Sequence, residues 1–145
     1  MHTIQRYALV PYTAGEMFSL VDDIVSYPEF LPWCSGSREL QRTADEVEAA
    51  VDIAKAGLHK TFVTRNRLQH GKTIEMRLKE GPFRHLHGFW RFEPLGDQGC
   101  KVTLDLQFEF SSKLLSLTVG PIFQQIGNSL VDAFCQRAEV VFGKR

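Results

Sequence analysis

Polar and apolar residues change rhythm several times along this chain, and each rhythm predicts a different element. Thr3 to Val10 alternate like a strand, which Pro11 ends. Thr13 with Glu16 then has the spacing of a capping box, in which hydroxyl and carboxylate satisfy each other's orphan backbone N–H groups. Tyr12 and Met17 stand at the matching hydrophobic-staple positions. Ser26 with Glu29 repeats the signature, with Val25 and Phe30 as the staple pair and Pro28 tolerated in the first turn. Pro32 stops this second short helix.

From about Ser37 to Phe110 the period is two, broken at Thr43 to Asp45, Gly57, Gly71, Gly81 to Pro82 and Gly96 to Gly99, so six further strands are predicted. In the third strand of the chain Val47, Ala49, Val51 and Ile53 share a face opposite Glu46, Glu48 and Asp52. The fourth carries Phe62 and Leu68 on its apolar face with polar Thr64 and Asn66 between them. The fifth offers Ile74, Met76 and Leu78; the sixth Leu86, Gly88, Trp90 and Phe92; the seventh Val102, Leu104, Leu106, Phe108 and Phe110. A final helix follows, with Ile122, Ile126, Leu130, Phe134 and Val141 on one stripe, Pro121 in its first turn and Gly143 at the C′ position. Lys144 and Arg145 bring cations to the negative end of its dipole. The order describes one α+β domain over residues 1–145, an antiparallel sheet with helices against one face and water on the other.

Charge and cysteine content narrow the function classes. Seventeen basic and 17 acidic residues cancel, which excludes a polycationic wrapper of nucleic acid and leaves DNA an unexpected partner. Cys34, Cys100 and Cys135 are odd in number and lack a CxxC pair, so neither a disulfide framework nor a thiolate zinc site is predicted, and a reducing, cytoplasmic setting is expected. The first residues show no charged region followed by an apolar stretch, and no leader is expected. Leu114 to Phe123 is apolar for only about ten residues against the ~20 that span a bilayer, so a soluble protein is expected.

Candidate chemistry lies on both faces of the sheet. The outward Arg65, Arg67, Arg77, Lys79 and Arg91 form a basic cluster. A Gly57–Leu58 hairpin loop would set Glu48 opposite Arg67, a loop over residues 70–72 would add Glu75, and Asp105 would face Arg91; such pairing is favoured over an interaction surface. His85 and His87 share a face, but no third ligand has an evident spacing, and no metal is predicted. The inward positions of the fifth to seventh strands hold no Asp, Glu, His or Lys, which counts against acid–base catalysis. Their aromatic and apolar side chains, with Thr64 and Asn66 as isolated hydrogen-bonding groups, fit both a filled core and a ligand cavity, and periodicity alone favours the filled core.

The run Tyr27-Pro28-Glu29-Phe30-Leu31-Pro32-Trp33-Cys34, followed by Gly81-Pro82-Phe83 leading to Leu86, Gly88 and Trp90, resembles the START-like coenzyme Q-binding family and its bacterial branch of ribosome association toxins. The resemblance extends over almost the whole chain, and the eight-residue run is its most specific part. It implies a helix-grip fold, in which a curved seven-stranded antiparallel sheet wraps a long C-terminal helix around a hydrophobic cavity. The implied ligand is an isoprenoid quinone of the ubiquinone type, bound without catalysis to support respiration; no cofactor is implied. Carried onto this sequence, the cavity would be lined by Phe62, Thr64, Asn66, Met76, Trp90, Phe92, Leu104, Leu106 and Phe108 and closed by Ile126, Leu130 and Phe134. Phe30, Leu31 and Trp33 would form its mouth, an exposed aromatic site suited to collecting a lipid by peripheral membrane contact, or else a buried corner. The bacterial branch implies a second role, binding the large ribosomal subunit and blocking its association with the small one, for which Arg65, Arg77, Lys79, Arg84 and Arg91 are the candidate contacts. Polyketide cyclase or aromatase activity would rest on shared fold alone.

Overall fold

A computed structural model describes residues Met1–Arg145. Strand β1 (His2–Val10) leads into α1 (Ala14–Asp22) and a 3-10 helix (Ile24–Glu29). Six strands follow without interruption: β2 (Cys34–Arg42), β3 (Glu46–Lys55), β4 (Leu58–Gln69), β5 (Thr73–Glu80), β6 (Phe83–Leu95) and β7 (Gly99–Phe110). A short α2 (Lys113–Thr118) and a long α3 (Gly120–Phe142) end the chain. All strands join one antiparallel sheet in the order β1-β7-β6-β5-β4-β3-β2. The hairpins from β2 to β7 are consecutive, so the one long connection is that between β1 and β2, which carries α1 and the 3-10 helix from one sheet edge to the other.

One face of this sheet is buried under the helices, and the alternation that predicts it is visible residue by residue. Val47, Ala49, Val51 and Ile53 on β3, Leu86, Gly88, Trp90 and Phe92 on β6, and every second residue from Val102 to Phe110 on β7 are buried. Helix α3 crosses that face so closely to β1 that a Cβ on Gly127 would lie 2.1 Å from Ile4 Cδ1. A side chain at this position would require the tip of Ile4 to move aside.

The capping box of α1 forms as expected: Thr13 Oγ1 accepts from Glu16 N at 3.1 Å and Glu16 Oε1 accepts from Thr13 N at 2.9 Å. Tyr12 and Met17 are both buried. The same carboxylate takes two bonds from the Arg145 guanidinium, at 2.7 and 2.8 Å, while Tyr12 Oη donates to Gly143 O at 2.8 Å and Arg145 stacks over the Tyr12 ring. These contacts clasp the C-terminal end of α3 to the start of α1 and hold the Glu16 carboxyl at about 2, chiefly through the Arg145 hydrogen bonds and next through the Thr13 N–H.

Several expectations need correction. Ser26 and Glu29 form no capping box: the 3-10 helix already begins at Ile24, and Ser26 Oγ donates to Asp23 Oδ2 at 2.6 Å, while the supposed staple residue Val25 is exposed. Burial of Ile24 against the core fixes that earlier start. The β3–β4 loop is Ala56–Gly57 rather than Gly57–Leu58, with both residues at positive φ (53° and 80°) as a two-residue type I′ turn requires. Glu48 therefore faces Arg65, and Glu46 faces Arg67; the 70–72 loop does put Glu75 opposite Arg67. Helix α2 has no counterpart in the expected elements, although Ser112 caps it by accepting from Leu115 N. On α3 the buried stripe is Phe123, Ile126, Gly127, Val131, Phe134 and Ala138, with Ile122 and Leu130 half-buried and Val141 48% exposed. The last turn of the helix packs Phe142 on Tyr12, which rotates Val141 outward.

Candidate ligand cavity

Between the concave face and α3 lies a cavity of about 90 Å³ lined by 19 residues, 16 of them hydrophobic. Its floor comes from alternate residues of β3 to β7 and its roof from Phe123, Ile126, Gly127, Leu130 and Phe134 of α3. Aromatic clusters stand at the two ends. Phe134 packs edge-on against Tyr27, Phe30 and Trp90 at 5.6, 5.2 and 5.3 Å, and Phe123 packs against Phe83 and Phe108 at 4.9 and 4.8 Å. The two anchor residues are eleven positions apart in one helix, about 16 Å along its axis. The floor is also split: β5 pairs with β6 only over Thr73–Arg77, so the strands part beside Met76 and Leu86, both of which line the cavity.

Of the residues expected to line it, Phe62, Thr64, Asn66, Met76, Trp90, Leu104, Leu106, Ile126, Leu130 and Phe134 do so. Phe92 does not: it is buried one layer away, edge-on to Phe18 of α1. Phe108 sits behind Phe123 and stacks on His2, so it plugs the end without lining the space. Of the expected mouth only Trp33 reaches the cavity, and it is buried, so it offers no exposed aromatic. Leu31 is fully buried core, and Phe30 lies outside the lining, held between Phe134 and the Arg137 guanidinium. Sequence reasoning missed Ile24 and Tyr27, whose placement depends on the 3-10 helix, and Phe123, which lies one residue from the stripe assigned to Ile122. Ala49, Val51, Ile53 and Leu86 were visible as inward positions of their strands.

No Asp, Glu, His, Lys, Arg or Cys lines the cavity. Its polar side chains are few. Tyr27 Oη donates to the Val21 carbonyl, and burial pushes the phenol well above its ordinary range. Thr64 Oγ1 donates to Asn66 Oδ1 at 2.9 Å, the two residues being neighbours on the inner face of β4. Burial likewise pushes the thiols of Cys100 and Cys135 up to about 11, which keeps them protonated at neutral pH.

The outer face is a charge ladder. Arg65 and Lys79 both bond Glu48 at 2.9 Å, Arg77 bonds Glu75 at 3.0 Å, Arg91 bonds Asp105, and Arg84 lies 3.9 Å from Glu109. These five cations are thus met by four carboxylates, and the lysine and arginine bonds hold the Glu48 carboxyl below its usual range. Glu75 also bonds His87 Nε2 at 2.8 Å, a contact between neighbouring strands, yet no cluster of three metal-ligating side chains forms. No helix is long and apolar enough to cross a membrane.

The profile of the family described as polyketide cyclase / dehydrase and lipid transport matches residues 10–135. The ribosome association toxin RatA of Pseudomonas aeruginosa is 50% identical over 140 residues, covering 97% of each chain. The mitochondrial coenzyme Q-binding protein COQ10 homolog B of Xenopus laevis is 26% identical over 92% of this chain and 57% of its own. In three dimensions the Zhui aromatase/cyclase of Streptomyces superposes with a TM-score of 0.79 at 16% identity, over 95% of this chain and 93% of its own, which speaks for the fold alone. The chain belongs to the polyketide cyclase / dehydrase and lipid transport family.

Proposed function

We propose that this protein binds an isoprenoid quinone of the ubiquinone type in the cavity between sheet and α3, as a carrier and not as an enzyme. The observation that carries this reading is an apolar cavity without a titratable acid or base beyond one phenol already engaged. The coenzyme Q-binding relative supplies the ligand class. At about 90 Å³ the space is smaller than the roughly 300–1,000 Å³ of pockets that bury a drug-sized molecule, so binding requires α3 to move off the sheet and the prenyl tail to extend beyond the lining. The test is native mass spectrometry and organic extraction of protein purified from a quinone-producing bacterium. A stoichiometric quinone is expected; protein that is free of lipid and also refuses added quinone would overturn the reading.

A second activity, contact with the large ribosomal subunit, is supported by the half-identical ribosome association toxin. It would use Arg77 and Arg84, the two most exposed of the five candidate contacts, ahead of Arg65, Lys79 and Arg91. Arg77→Glu with Arg84→Glu should weaken co-sedimentation with large subunits and lower its salt sensitivity; unchanged co-sedimentation would remove this face from the reading.

A further inference from the structure

The antiparallel register brings the β3–β4 and β5–β6 turns, the end of β7 and the start of β1 to one end of the sheet, and α2 is tied there by Ser111 N, which donates to Pro82 O at 3.1 Å. Six residues are too few for a helix to persist alone, and no residue of α2 is buried. Leu114 and Leu117, three apart and so on one side of the helix, are 70% and 67% exposed, while Leu115 turns to pack against the core. A lone exposed leucine means little, but two side by side make a surface that the protein itself leaves uncovered. Charge at this end is uneven. Lys55, Lys60, Arg84 and Lys113 stand against Glu80 and Glu109, of which Glu109 lies 3.9 Å from Arg84. Lys79 is the one lysine in an ion pair, so Lys55, Lys60 and Lys113 are free to meet a partner. The turns at the opposite end carry Asp45 and Asp97 against Lys72.

We propose that the α2 end of the protein docks on an anionic bilayer, with Leu114 and Leu117 entering the acyl edge of the leaflet and the lysines meeting lipid phosphates. Uncovered leucines flanked by cations fit a surface that is negative on top and apolar beneath, whereas a nucleic-acid backbone would answer the cations and leave the leucines in water. The surface also adjoins the cavity. Val119 caps α2 and opens α3, whose Phe123 closes the cavity against Phe62, a half-buried residue of β4 at 6.3 Å. The docked helix is therefore one residue away from the helix that roofs the ligand space. Docking stands without the quinone reading; that a quinone enters and leaves at this end rests on it.

The test is co-sedimentation of the purified protein with vesicles of phosphatidylcholine alone and of phosphatidylcholine mixed with phosphatidylglycerol, both free of quinone. Binding is expected on the anionic vesicles, about tenfold or more above the neutral ones, and should fall as salt rises. Leu114→Gln with Leu117→Gln should weaken it by about tenfold or more, and should leave Tm unchanged because neither side chain is buried. Lys55→Gln, Lys60→Gln and Lys113→Gln should each weaken it about fivefold and flatten its salt dependence. Val140→Gln removes the most exposed large apolar side chain, 76% accessible at the far end of α3, and should bind like the parent. Equal binding by the leucine variant and the parent, an equal loss in the Val140 variant, or no binding to either vesicle overturns the inference. A parent that ignores vesicles but needs the same leucines to bind large ribosomal subunits overturns it too, and assigns the surface to a protein partner. Because the vesicles hold no quinone, each of these results leaves the carrier reading as it stands; a protein that docks and then takes up no quinone overturns that reading alone.

Discussion

The two faces of β4 alternate residue by residue and treat polarity in opposite ways. Arg65 and Arg67 point to water, where Glu48 and Glu46 answer them and where an unanswered charge would simply be hydrated. Thr64 and Asn66 point inward, into a largely apolar lining where a polar group left unanswered carries a real cost. The same number of polar groups therefore means little on one face and a great deal on the other. Exposed charges outside have water as a second partner, whereas the polar groups inside depend on one another, as Thr64 and Asn66 do.

This contrast can be broken most directly at Leu106, which is buried opposite Gly88 and lines the cavity. Leu106→Asp places an unpaired carboxylate there, and an uncompensated buried charge costs about 3–5 kcal/mol. A fall in Tm on the order of 10 °C is expected by circular dichroism, together with loss of quinone binding; a fall below about 2 °C would mean that water reaches the inner face freely. An intermediate effect is expected at the clasp. The Glu16 carboxyl, at about 2 in the folded protein, lies below its unfolded value near 4.3, so its stabilisation is complete above roughly pH 4.3 and is lost as the pH falls toward 2. Arg145→Ala removes the largest cause of that depression, and denaturant titrations from pH 5 to pH 2 should show a flatter loss of stability than the parent; parallel curves would argue against the clasp. The smallest effect belongs to Arg65→Ala, because Lys79 still bonds Glu48. Its Tm should be indistinguishable from the parent, and a clear drop would show that the outer ladder contributes more than exposed pairs usually do.

What the sequence made legible followed from strict local rules. The inner face of β3 and of β7 could be read from alternation, and the Thr13–Glu16 box from two residues at fixed spacing, because each depends on neighbours in the chain. The cavity floor was legible for the same reason, including Thr64 and Asn66. The turn at Ala56 was not, since alanine seldom takes a positive φ and does so here to satisfy the twist of the strands it joins. The 3-10 helix was placed late because burial of Ile24, a tertiary fact, outweighs the Ser26 signal. The phase of α3 slipped by one residue because Ile122 and Phe123 are both apolar, and only packing against Phe83 and Phe108 chooses between them. Whether the inward residues fill the space or leave it open was likewise a matter of packing that no alternation records.

The clasp at the end of α3 also sets the mechanics of that helix. With Gly143 and Arg145 tied to Tyr12 and Glu16, the helix is a rod pivoted near Phe142. Phe134 stands eight residues from that pivot and Phe123 nineteen, about 12 and 28 Å along the axis. Any tilt about the clasp therefore lifts the Phe123 end more than twice as far as the Phe134 end, so leverage alone makes the cavity widen from one side.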